Sequence, residues 1–317
     1  GDISQVSISQ IKLLTKSRPI HMIIGGPPCQ GFSTVGRGNV DDERNQLFRE
    51  FVRIVAGIKP KIIVLENVTG LLAEKNKHIL QAIFSEFQKI GYNLEARVLS
   101  SEEYGVPEKR RRTFIMRVIG GMPVFPEKRF GPGRKKYATV REALKVLDKT
   151  KNIFNHDLKS AQITCALDLK RIAYIPSGCG IRYEKDEKEF LPKKLHYGVN
   201  WNSLLENRFR QTKLQRLDWD RPSPTILTSR NSYYHPEENR YLTAREAALL
   251  QSFPLDFIFK GSNTSIFKQI GNAVPPMLAK SIGESLKSIE WGFRKKQHSF
   301  DLIESSVELR KAFNYKG

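Results

Sequence analysis

Apolar residues recur at two different spacings over the first 120 residues, and the alternation between them is the main structural signal. Short apolar runs at residues 21–26, 61–65, 94–99 and 113–119 read as strands. Between them, Leu47, Phe48, Phe51, Val52 and Val55 fall at helical spacing. Ile79, Leu80, Ile83, Phe84 and Phe87 do the same, and Gly91 closes that run. Strands alternating with amphipathic helices predict an α/β fold, with a parallel sheet covered on both faces and the first run as a buried central strand. Ligands in such sheets sit beyond the carboxyl ends of the strands. Cys29, after Gly25-Gly26-Pro27-Pro28, and Glu66, at the end of the second run, are both placed there. Pro27 and Pro28 fix φ and restrict their neighbours, so the thiol is expected on a stiff loop, as a nucleophile would be.

The rhythm changes after residue 120. Pro123, Pro126, Gly131-Pro132-Gly133 and Arg134-Lys135-Lys136 read as a linker, and residues 140–238 mix aromatic and basic residues without a βα repeat. Residues 242–250 are helical in pattern with Thr243 as N-cap. A loop is expected over 270–276, followed by a helix over 277–289 and a docking helix in the tail after Trp291. No internal repeat or low-complexity tract is visible.

Composition narrows the function. Among 317 residues, 53 Lys and Arg face 33 Asp and Glu, a formal net charge of +20, which points to a polyanionic partner. Nucleic acid is favoured over an acidic membrane surface, because no basic amphipathic helix stands out and no apolar run approaches a membrane span. Cys29, Cys165 and Cys179 form an odd set without metal-ligand spacing, so neither a disulfide scaffold nor a metal site is expected. That usage fits a soluble protein in a reducing, cytoplasmic compartment.

Six blocks then carry a family resemblance: Gly-Pro-Pro-Cys-Gln-Gly-Phe-Ser (26–33), Glu-Asn-Val (66–68), Pro-Glu-Lys-Arg-Arg-Arg (107–112), Arg-Pro-Ser-Pro-Thr-Ile (221–226), Gln-Ser-Phe-Pro (251–254) and Gly-Asn-Ala-Val-Pro-Pro (271–276). In this order they resemble the DNA (cytosine-5)-methyltransferases of bacterial restriction-modification systems. The resemblance implies a Rossmann-like class I methyltransferase sheet with a smaller, irregular target-recognition domain. It implies base flipping and methyl transfer from S-adenosylmethionine to carbon 5 of cytosine in a specific duplex DNA sequence. Carbon 5 is a poor nucleophile, so Cys29 would first add to carbon 6 to make an enamine. Glu66 would share a proton with N3 through a carboxyl of raised proton affinity, Arg112 would contact the base O2 and the active-site groups, and Arg110 is its companion position. Glu108 stands where the family often has glutamine and is given no role.

On the same resemblance, Asp2, Ile3, Pro28, Leu47, Asn272 and Val274 match cofactor-lining positions. Gln30, Ser33 and Arg37, in a glycine-containing loop expected to close over DNA, and Arg182, Arg208, Arg210 and Arg221 are candidate DNA contacts. Arg216 and Lys213, with Tyr174, Tyr183, Trp201 and Trp219, add donors and flat surface to the target-recognition region. The expected division is a catalytic domain over 1–139, target recognition over 140–238, a hinge over 239–270 and a return helix over 271–317. The family's Phe-x-Gly-x-Gly turn and its ribose-binding acid are absent. The sheet is therefore expected to lack its first strand, supplied by a companion chain or by a segment before Gly1. A nucleoid-associated location follows for a DNA partner. Two alternatives stay open: a tRNA cytosine-5 methyltransferase and a non-catalytic DNA-binding paralogue.

Overall fold

The computed structural model describes residues 2–27, 46–119, 123–150 and 153–287. The chain divides into two compact units: Gly1–Ser100, Arg111–Pro126 and Ile282–Gly317 form one, and Ser101–Arg110 with Glu127–Ser281 the other.

The first unit is built on strands β1 (Met22–Gly25), β2 (Ile62–Val68), β3 (Glu95–Ser100) and, beyond the two-residue β4 (Glu108–Lys109), β5 (Arg111–Val118). Four of them form a sheet in the order β1-β2-β5-β3. β1 runs parallel to β2, from Met22 opposite Ile62 to Gly25 opposite Leu65. β5 runs antiparallel to both of its neighbours. The sheet is thus mixed, which corrects the all-parallel expectation. Only residues 101–110 connect β3 to β5, and a parallel pair needs a crossover of a dozen or more residues, whereas antiparallel neighbours need only a turn.

A second correction concerns β1. Among the described residues it pairs only with β2, and Met22 and Ile24 are 41% and 63% exposed, so it is an edge and not a buried central strand. Its composition resembled a buried strand because Ile23, on the other face, packs on the core.

Helices α1 (Ile8–Leu14), α2 (Gln46–Ile58) and α3 (Lys77–Lys89) complete this unit. The apolar stripes of α2 and α3 bring Phe48, Val55, Leu80 and Phe87 onto Ile63, Leu65, Ala96 and Ile115 of the sheet. Phe87 is fully buried, with the rings of Phe48 and Phe51 set edge-on at 5.8 and 6.3 Å. Burying one such ring stabilises the fold by roughly 1.5–3 kcal/mol. Gly91, at φ +85°, ends α3: its N–H donates to Gln88 O and that of Tyr92 to Phe87 O, a Schellman closure that L side chains rarely allow.

The second unit contains β4, β6 (Ile181–Tyr183), β7 (Arg208–Lys213) and β8 (Ser223–Pro224), with α4 (Val140–Leu144), α5 (Ala166–Ile172), α6 (Glu184–Phe190), α7 (Ala244–Leu250) and α8 (Asn263–Asn272). α9 (Pro276–Lys287) follows. β4 and β8 pair in parallel and β6 and β7 antiparallel. Thr243 caps α7 as its sequence predicts, in a capping box with Glu246. The loop expected over 270–276 is shorter: Ile270, Gly271 and Asn272 form the last turn of α8. One core gathers Val140, Leu217, Ile226, Leu250 and Ile270, and another Ile172, Ile181, Trp201, Tyr234 and Tyr241.

Candidate active site

Parallel pairing sets the end of β1 beside β2, which runs on to Val68. Gly25 lies opposite Leu65, so the next residues, Gly26 and Glu66, meet at the carboxyl edge of the sheet. A Cβ built on Gly26 would lie 3.1 Å from Glu66 Oε2. A side chain at this position would push the carboxylate aside by a few tenths of an ångström. On the other side, β5 places Phe114 opposite Glu66 and Arg112 opposite Val68. Arg112 is therefore the diagonal neighbour of Glu66 on one face of the sheet, within reach of a long side chain. Its Nε stands 3.1 Å from Glu66 Oε1, with the two side chains only 16% and 18% exposed. Arg112 Nη1 also donates to Arg111 O at 2.8 Å, which fixes the plane of the guanidinium.

Asn67, to which the sequence reading gave no role, joins the same corner. Its Nδ2 donates to Pro27 O at 3.3 Å and its Oδ1 accepts from Val68 N at 2.8 Å. The available signal was its place beside Glu66, in the same short block as the candidate acid.

Cys29, Pro28, Gln30, Ser33 and Arg37 lie outside the described residues. Pro27 is the last described position before them, two residues short of the thiol.

Among the cofactor candidates of this unit, Asp2 is exposed and its Oδ1 accepts from Ser4 N and Oγ at 2.9 and 2.8 Å. Those bonds hold its carboxyl below the usual range, and the backbone N–H contributes most. Ile3 is 41% exposed beside it and Leu47, at the start of α2, is half-buried. Arg53 fixes this stretch by donating to Ile3 O and Val6 O. An ionised acid next to exposed apolar surface fits an adenine edge. No glycine-rich turn for the rest of S-adenosylmethionine occurs among the described residues, so the fit covers only part of that group.

In the second unit Arg110 is almost fully buried and donates to Ile226 O at 3.3 Å and Gly271 O at 2.7 Å. These contacts are those of a clamp on the segments 221–226 and 271–276. Glu108 shares the work: its Oε1 accepts from Ile226 N at 2.6 Å and stands 3.8 Å from Arg110 Nη1. Alternation toward a buried strand partner, not family pattern, was the signal that could have found it. A Cβ on Gly271 would lie 2.6 Å from the carbonyl carbon of Leu227, so the two backbones pack closely. Asn272 is exposed and Val274 half-buried.

The candidate DNA contacts of this unit separate by exposure. Arg182 on β6 is half-buried, and Arg208 and Arg210 lie on β7, Arg210 exposed and Arg208 ion-paired with Glu206. Arg221 is 80% exposed with Asp218 at 3.3 Å. Arg216 is instead an internal staple: its guanidinium donates to the carbonyls of Ile172, Ile175, His235 and Glu238. Trp201 is buried as well, its indole N–H donating to Glu187 Oε2 at 3.0 Å, so it offers no free ring face. Tyr174 and Tyr183 remain exposed.

Residues 1–288 match the family described as C-5 cytosine-specific DNA methylase. The chain is 34% identical over 294 residues to the Type II methyltransferase M1.HphI of Haemophilus parahaemolyticus, covering 90% of this chain and 73% of that one. It is 30% identical to the Type II methyltransferase M.DdeI of Desulfomicrobium norvegicum, covering 98% and 81%. A solved structure from an E. coli prophage, described as a DNA modification methyltransferase, is similar with a TM-score of 0.64 and 26% identity over 90% of this chain and 84% of that one. On its sequence blocks, its sheet and these relatives, the chain belongs to the C-5 cytosine-specific DNA methylases, enzymes that move a methyl group from S-adenosylmethionine to cytosine in DNA.

Proposed function

We propose that Cys29 is the nucleophile of this cytosine methylation, that Glu66 neutralises the ring opposite it, and that Arg112 holds Glu66 in place. The observation that carries this reading is Glu66 wedged between Gly26, three residues before the thiol, and Arg112. In the reaction the Cys29 thiolate forms a bond to carbon 6 of an everted cytosine, and the electrons of the 5,6 double bond move to make carbon 5 an enamine carbon. Glu66 shares a proton with N3, so negative charge does not accumulate on the ring. S-adenosylmethionine supplies the methyl group as an electrophilic sulfonium carbon. Loss of the C5 proton to a base or water then restores the double bond as the bond from carbon 6 to sulfur breaks. Asp2, Ile3 and Leu47 would hold the adenine end of the cofactor. Arg210 and Arg221, the exposed members of the four arginine candidates in the second unit, would contact phosphates, which position the duplex without reading it.

The outer edge of β1 takes a further strand, from a companion chain or a preceding segment, that brings the glycine-rich turn. Support comes from the pairing of β1 with β2 alone among the described residues, and from the exposure of Met22 and Ile24 on a face that parallel strands normally have covered. Leu13 and Leu14, 78% and 82% exposed, add apolar surface nearby in sequence. Calorimetry tests this directly: the 317-residue chain alone should bind S-adenosylmethionine weakly, and tight binding by it alone would overturn the inference.

The function itself is tested by incubating the completed enzyme with labelled S-adenosylmethionine and either duplex DNA or tRNA, followed by nucleoside analysis. Label in 5-methyldeoxycytidine is the expected result. Label confined to tRNA would favour the alternative substrate, and none in either would favour a non-catalytic binder.

A further inference from the structure

We propose that Asn67 is a positioning residue that fixes the Pro27 carbonyl, where the chain leaves β1 two residues before the nucleophile. This rests on the reading of Cys29 given above and adds to it the group that sets where the loop leaves the sheet. The backbone ladder between β1 and β2 runs only to Gly25 opposite Leu65. It cannot continue through Pro27 and Pro28 by their own donors, because proline has no N–H. Asn67 links the two segments in another way, from its side chain: Nδ2 donates to Pro27 O at 3.3 Å, on the peptide that joins Pro27 to Pro28. Its other amide atom is fixed at the same time, Oδ1 accepting Val68 N at 2.8 Å, and the residue is only 9% exposed. The amide therefore has one orientation, oxygen toward Val68 and nitrogen toward Pro27. Of the side chains of this size, only an amide carries its donor and its acceptor on separate atoms, as two partners on different segments require. An aspartate would keep the Val68 bond and turn an oxygen toward the Pro27 carbonyl, replacing attraction by repulsion.

Misplacing a reacting group by about 1 Å lowers rates by up to about 100-fold without changing what binds. The test compares wild type with Asn67→Asp and with the neutral, shorter Asn67→Ser. Reversible thiolate addition lets the C5 hydrogen of cytosine exchange with water, so tritium release from DNA labelled at C5 reads the step without methyl transfer. The expected result is a maximal exchange rate about 10- to 100-fold lower in both variants, with the KM for DNA and the melting temperature close to wild type. A wild-type maximal rate in either folded variant, or a raised KM with the rate unchanged, overturns the role of Asn67. Tritium release without cofactor by Cys29→Ala at the wild-type rate overturns instead the reading of Cys29 on which it rests.

Discussion

Arg112 Nε and Glu66 Oε1 lie 3.1 Å apart because β5 is antiparallel to β2 and sets Arg112 opposite Val68, two residues beyond the acid. Had the connection from β3 produced a parallel strand, the same arginine would have faced another part of the sheet. The pair therefore depends on the topology that the short link at 101–110 imposes.

Arg112→Ala is expected to lower maximal methylation by about 100- to 1,000-fold, the range seen when one preorganised charge-stabilising donor is lost. Arg112→Lys should fall between it and wild type, since an ammonium keeps the charge but not the planar fork. Steady-state kinetics on duplex DNA check both, and equal activity of the alanine variant and wild type would contradict the assignment.

Gly26→Ala places a methyl group 3.1 Å from Glu66 Oε2. The carboxylate must give way by a few tenths of an ångström. We expect a rate about tenfold lower with an unchanged melting temperature, read from initial rates and thermal unfolding of the same preparation.

Much of this was legible in the residues. The strand that carries Glu66 and the helices carrying Phe48 and Phe87 follow from periodicity, while the roles proposed for Cys29, Glu66 and Arg112 rest on the order of the blocks. Strand direction was not legible, because an apolar run such as 113–119 has the same pattern in either orientation. Nor was the buried work of Arg110, Arg216 and Trp201. An arginine or tryptophan in a basic, aromatic stretch reads as a surface donor until the fold supplies carbonyls or a carboxylate for it, as Ile226, Gly271, Ile175 and Glu187 do here. Asn67 and Glu108 were missed for the same reason: each acts on a backbone atom distant in sequence.

In the second unit Arg240 donates through both terminal nitrogens to the two oxygens of Glu246, at 2.8 and 2.7 Å, with both side chains buried. Glu246→Ala leaves that guanidinium with Glu238 as its one carboxylate partner among the described residues and removes half of the capping box of α7. A loss of up to about 3 kcal/mol is expected, visible as a lower urea midpoint. Replacing both partners by apolar residues, Arg240→Met with Glu246→Leu, should recover most of it.

His235 is buried with its Nδ1 accepting from Glu238 N at 3.0 Å and Glu237 N at 3.3 Å, which leaves the proton on Nε2. Burial pushes its pKa below the ordinary imidazole value, against the opposing pull of Glu246 and Glu238, while Arg240 and Arg216 lower it further. The folded state thus binds fewer protons here than the unfolded chain as pH drops below about 6.5, so stability falls with it. The melting temperature should decline between neutral pH and pH about 5.5, and His235→Asn should flatten that decline. A steeper decline in the variant would contradict the sign.

The central claim is a covalent bond between the Cys29 sulfur and carbon 6 of cytosine. Fluorine at C5 blocks proton removal, so duplex DNA containing 5-fluorocytosine should trap the enzyme, in the presence of S-adenosylmethionine, as a complex stable to denaturation. The account predicts this adduct for the wild type, with a peptide containing Cys29 attached to the base, and none for Cys29→Ala. An adduct that persists in Cys29→Ala, or its absence from wild-type enzyme that methylates ordinary DNA, would contradict it.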